Sequence, residues 1–154
     1  MTLTARYAHL DSLPRWKVGD TILENFIVGR MGNSGQSTAA HLHFDLTRGE
    51  NDGLYSLHDI EAEKPQSAPM KQYLYFLDDD MFIVPLVVTT AYAELEYYKL
   101  TRKVHHGFDL VPEDRRTTKD HFDIHWNRSM KGKVIRVGND PYGYGYHIQI
   151  AFEV

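Results

Sequence analysis

A chain of 154 residues, 42% hydrophobic and 25% charged, with no cysteine and nine histidines, has the composition of one ordinary globular domain. The missing cysteine excludes disulfide frameworks, thiolate zinc sites, iron–sulfur clusters and cysteine nucleophiles. A net charge of -4 with a pI near 6.1 argues against nucleic acid as a partner, and no apolar run approaches the roughly 18 residues that would predict a membrane span.

In chain order, Tyr7-Ala8-His9-Leu10 reads as a strand end with His9 packed beside Tyr7. Trp16–Asp20 predicts a tight turn entering a strand, Phe26–Gly29 a short strand, and Gly32-Asn33-Ser34-Gly35 a turn. Across Ala40–Leu46, His41, His43 and Asp45 share one parity and Leu42, Phe44 and Leu46 the other, so a strand here anchors its apolar side and presents two imidazoles together. From the segment alone, a histidine pair on a solvated strand face is an equally good reading. Arg48–Gly53 is a turn cluster. Glu50–Asp80, polar and carrying Pro65 and Pro69, reads as a long connection ending in a solvated Asp78-Asp79-Asp80 turn. Ala91–Tyr98 reads as a short helix, although the preceding Val87–Thr90 favours a strand. In Val104–Pro112 the even spacing of His105 and Asp109 puts both on one face of a strand, with His106 turned away. His121 and His125 form a further even-spaced pair around Asp123, without supporting motif context. Val134–Val137, preceded by Lys131-Gly132-Lys133, predicts a short strand, Asn139–Gly143 a turn, and Tyr146–Val154 a strand with one apolar face. Tyr142, Tyr144 and Tyr146 either line a groove or cover a core edge, and His58 and His147 read as structural. The fold class expected is mainly β.

With cysteine absent, histidine and carboxylate are the remaining donors for a transition metal. A catalytic zinc keeps three protein ligands and an open position, and His105, Asp109 and one histidine of the other cluster satisfy that count.

Taken together the two clusters resemble those of the lysostaphin/LytM-type zinc endopeptidases, which cut peptide cross-bridges in bacterial peptidoglycan. His105-His106-Gly107-Phe108-Asp109 matches the family's H-x-G-x-D, and His41-Leu42-His43 its H-x-H, preceded by Gly32–Ala40 as a glycine- and serine-rich context. Tyr7-Ala8-His9-Leu10 resembles Y-x-H-L, Lys17-Val18-Gly19-Asp20 the segment that follows it, and Gly143-Tyr144-Gly145 the G-Y-G turn. The resemblance covers residues 2–46 and roughly 102–154. The order differs: the family's last two motifs come first here, as in a circular permutation that leaves 1–46 equivalent to the C-terminal half, 102–154 to the N-terminal half and 47–101 as the connection. The strands near Thr2 and Val154 are then expected side by side.

The resemblance implies a single antiparallel β-sheet peptidase domain, Zn2+ held by His105, Asp109 and His43, and His41 and His9 as the catalytic histidines that are not ligands. It implies peptidoglycan as substrate, a monomer with domain-swapped pairing of the halves as the alternative, and action at the bacterial cell wall. The N-terminus has no apolar signal segment, which suggests a phage or virion-associated lysin, or export by another route. The competing function is a non-catalytic module of the same fold that binds peptidoglycan or regulates an amidase.

Overall fold

Nine-residue strands rich in β-branched and aromatic side chains build the centre of the molecule. In the computed structural model, which describes residues 2–50, 52–53, 86–90, 95–102, 105, 107–112, 123–126 and 130–153, strand β1 (Thr2–Leu10) lies between β9 (Gly145–Glu153) and β4 (Leu42–Arg48). Outside these come β8 (Gly132–Asp140) and β2 (Thr21–Ile22) on one side, β6 (Phe108–Pro112) and β5 (Leu86–Thr90) on the other. The seven run β2-β8-β9-β1-β4-β6-β5, every pairing antiparallel. Strands β3 (Ile27–Arg30) and β7 (Asp123–His125) form a separate pair, and helix α1 (Leu95–Thr101) precedes β6. The fold is mainly antiparallel β, as the sequence predicts.

Thr2 pairs with Glu153, and the Thr2 hydroxyl hydrogen-bonds the Glu153 carboxylate, so the first and last strands are neighbours. The Asp78–Asp80 turn and His58, His106 and His121 lie outside the described residues. The 47–101 connection begins with the end of β4 and contains β5 and α1, with the strand and helix following one another where the sequence offered a choice between them.

The sheet has two unlike faces. On one, Leu3, Ala5 and Tyr7 of β1 pair with Phe152, Ile150 and Ile148 of β9, and Leu42, Phe44 and Leu46 of β4 join them with Phe108, Leu110, Val134 and Trp126 in one apolar core. The other parity carries Thr4, Arg6, His43, Asp45, Thr47, His147 and Gln149, all buried. The second faces of β4 and β9 are thus buried and polar, which removes the solvated-face alternative for β4. Such a face needs internal partners, because a buried polar group without one costs about 1–3 kcal/mol. Some come from the connection: Arg6 Nη2 donates to the Gly53 carbonyl at 3.1 Å and Arg136 Nη1 to the Asp52 carbonyl at 3.1 Å.

Candidate metal centre

The polar face ends in a group of imidazoles, each brought there by a different backbone device. His43 arrives by strand parity, opposite Asp109 of β6 and Ala8 of β1. His9 would by parity follow Tyr7 into the apolar core. Instead the β1–β9 register shifts between Tyr7 and Leu10 and His9 takes a left-handed backbone with φ 59°, a bulge that re-aims its ring. Its ring lies 4.8 Å from that of His41 and 6.0 Å from that of His43, which brings His9 into the group of imidazoles. His41 stands just ahead of β4, held by a backbone bridge to Gly32.

His105 is also not on a strand: β6 begins at Phe108, and spacing within a strand does not explain its meeting with Asp109. The bend at Gly107 does. A Cβ there would lie 2.7 Å from the Phe44 carbonyl and 2.8 Å from the His43 ring, so only glycine lets the chain close in on β4. His105 Nε2 then reaches 3.1 Å from Asp109 Oδ1. The turns beneath the site are similarly tight. Gly35 (φ 73°) and Gly145 (φ 63°) lie back to back, and the Ser34 hydroxyl caps the Leu10 carbonyl while accepting from the Tyr146 N–H at 3.0 Å.

One ligand atom from each of His43, His105 and Asp109 lies within 4.8 Å of the others. His43 Nδ1 is 3.3 Å and His41 Nε2 3.5 Å from Asp109 Oδ1. Tetrahedral zinc with bonds of about 2.0–2.1 Å separates its ligands by about 3.3 Å, so this nitrogen and oxygen set fits that ion. Two tyrosines close the sides: Tyr97 of α1, 4.8 Å from the His105 ring, and Tyr144, 5.3 Å from the His43 ring.

The electrostatics set the groups apart. Burial opposes ionisation of Asp109, yet hydrogen bonds from His105, His41 and His43 outweigh it and hold the carboxyl well below the usual carboxylate range. Burial likewise opposes protonation of His43, but Asp109 and Asp45 on its two sides push it up to about 9 in the metal-free site. His9 goes the other way: burial first, then the neighbouring imidazoles His43 and His41, lower it to about 4, so it is neutral at pH 7. Carbonyls fix the tautomers. His9 Nδ1 faces the Ser34 carbonyl and His41 Nδ1 the Ala39 carbonyl, each at 2.8 Å. A carbonyl only accepts, so both carry the proton on Nδ1, and their Nε2 atoms are lone pairs when neutral.

The other sequence candidates fall elsewhere. His125 is half-buried in β7 opposite Ile27 and belongs to the small sheet. His147 is buried, donating to the Gly145 carbonyl at 2.8 Å and accepting from Arg136 Nε at 3.2 Å. Tyr142 is exposed. Three side chains of the site had no assigned role: Asp45, whose Oδ2 is 2.9 Å from His43 Nε2; Arg6, whose Nη1 is 3.5 Å from the same oxygen; and Tyr97. Parity with His43 was the signal for Asp45, and a lone charge inside Leu3–Leu10 was the signal for Arg6. For Tyr97 the sequence holds no such signal.

No curated protein and no solved structure matches the chain. The model of peptidase family M23 matches residues 2–53, about a third of the chain, the stretch that contains His9, His41, His43, Asp45 and Arg6. That stretch, within a fold that is mainly antiparallel β, is therefore similar to the M23 peptidase family.

Proposed function

We propose that the protein is a zinc-dependent endopeptidase that hydrolyses peptide cross-bridges of bacterial peptidoglycan. The observation that carries this reading is the convergence of His43, His105 and Asp109 within 4.8 Å, from two distant parts of the sequence, beside two further imidazoles. His43 Nδ1, His105 Nε2 and Asp109 Oδ1 would hold the ion. Bound there, zinc supplies Lewis acidity toward water and the scissile carbonyl.

The chain's own residues supply the rest. Neutral at pH 7, His9 offers its Nε2 lone pair to a proton, and His41 offers the same atom when neutral; a histidine that has accepted a proton can hand it to the leaving amine. Their anchored Nδ1–H groups fix both rings before substrate arrives. Tyr97 and Tyr144 flank the imidazoles and would limit what can approach them. The chain would act on the bacterial cell wall as a monomer, with the two halves of a permuted domain paired within one chain.

Purified protein should contain close to one zinc per chain and clear a suspension of purified cell walls, with new amino termini released. His43→Ala should lose both properties. A metal-free protein, or undiminished lysis by His43→Ala, overturns the reading. Wall binding that survives a chelator without any released termini would mark a binding module instead.

A further inference from the structure

Behind His43 the polar face continues into a pair that metal ligation alone does not require. Asp45 (2% exposed) stands two residues along β4 on the same side and holds its Oδ2 2.9 Å from His43 Nε2. Its partner across the sheet is Arg6 (1% exposed) of β1, directly opposite in register, with Nη1 3.5 Å from the same oxygen. The Arg6 guanidinium also sits 4.5 Å over the Tyr144 ring, and Tyr144 packs on His43 and passes its carbonyl to the His9 N–H at 2.8 Å. One buried cation thus touches both things that border His43: the carboxylate at its far nitrogen and the aromatic ring at its side.

Burying such a pair costs desolvation, and apolar residues of similar volume at these central positions would be neutral or stabilising. The geometry is also poor for stability alone. Arg6 Nε and Nη1 make no hydrogen bond within the distance and angle of a normal one among the described residues, leaving the guanidinium only partly satisfied. What the pair does accomplish is to choose which nitrogen of His43 faces outward. A carboxylate at Nε2 takes the N–H there and leaves Nδ1 for a cation beside Asp109, an arrangement that fixes the ring and raises its basicity as a ligand.

We propose that Asp45 and Arg6 are positioning residues for the metal centre: Asp45 holds the Nε2 proton of His43 so that Nδ1 faces the ion, and Arg6 holds Asp45 and Tyr144 in place. This rests on the zinc reading above. The outer partner of a metal-bound histidine typically accounts for 10–100-fold in metal affinity, on the order of what is expected here.

The test measures zinc affinity of the full chain by competition with a chromophoric chelator, the visible spectrum of the cobalt-loaded protein, and the thermal midpoint without metal. Asp45→Asn should keep the fold, weaken zinc binding by about 10–100-fold and alter the cobalt spectrum. The neutral double variant Arg6→Met with Asp45→Asn removes the buried charges together. It should be at least as heat-stable as the parent without metal, yet bind zinc as weakly as the single variant, and it provides the same reading if the single variant does not fold. A folded variant of either kind whose zinc affinity stays within about threefold of the parent overturns the inference while leaving the zinc reading standing. A parent chain that takes up no zinc overturns both.

Discussion

The two halves of the site are built on unlike ground. His9 and His43 come from β1 and β4, with β1 in the middle of a seven-stranded sheet, hemmed by paired strands on both sides and by the buried Arg6 and Asp45 behind. His105 and Asp109 come from the other end of the sheet, where β6 is followed only by β5, and His105 hangs on a bend against α1, a helix with no buried residue. The first half is fixed by its surroundings. The second is joined to the first by the β4–β6 ladder and by the close approach at Gly107, and the metal is expected to add a tie at His105, which lies outside that ladder.

The sharpest way to break this contrast is to remove one ligand from each half. His43→Ala and His105→Ala should both abolish zinc retention and hydrolysis. His43→Ala should lower the heat stability of the metal-free protein more than His105→Ala, because it takes a buried partner from both Asp45 and Asp109, whereas His105→Ala takes one from Asp109 alone; removing one partner of a buried charged pair costs about 3–5 kcal/mol. Equal metal-free midpoints for the two variants would show that the halves are equally dependent on their ligands.

Next in size is the division between ligands and proton carriers. His9→Ala and His41→Ala should retain zinc but lose about 10²–10⁴-fold in kcat, the usual contribution of a positioned acid or base. Zinc loss in either would move that residue into the ligand set. A smaller effect is expected at the joint between the halves: Gly107→Ala, forced against the Phe44 carbonyl and the His43 ring, should destabilise the fold by about 1–3 kcal/mol and weaken zinc binding. Unchanged urea midpoint and affinity would mean that the bend gives way freely.

The same contrast explains what could be seen without coordinates. The strand parity of Leu42–Leu46 and the alternation of Tyr146–Val154 located β4 and β9, because side-chain direction along a strand follows from spacing alone. Parity failed at His9 and at His105, where a bulge and a glycine bend replace regular strand, since those depend on pairing with β9 and β4 rather than on neighbours in sequence. The burial of the polar face was also hidden: alternating polar residues predict a wet face unless a segment far away in sequence covers it. Here residues 52–53 take hydrogen bonds from Arg6 and Arg136 of that face.

The most gradual expected effect, spread over several pH units, is a pH signature of the metal-free fold, and it separates two imidazoles only 6.0 Å apart. His9 is lowered from 6.5 to about 4, so between these values the unfolded chain binds more protons than the folded one; stability from keeping His9 neutral is complete above pH 6.5 and is lost as pH falls toward 4. His43 is raised from 6.5 to about 9, so its contribution is complete below pH 6.5 and is lost as pH rises through 9. The two opposite slopes make the metal-free protein most stable near pH 6.5, with neither side steeper than about 1.4 kcal/mol per pH unit for one proton. Urea unfolding from pH 4.5 to 9 checks this. His9→Gln should flatten the acid side only. Saturating zinc should flatten the alkaline side, because a ligating His43 has already given up its Nδ1 proton. If zinc left the alkaline slope in place, the ion would not be bound through His43, and the central half of the site would have to be reassigned.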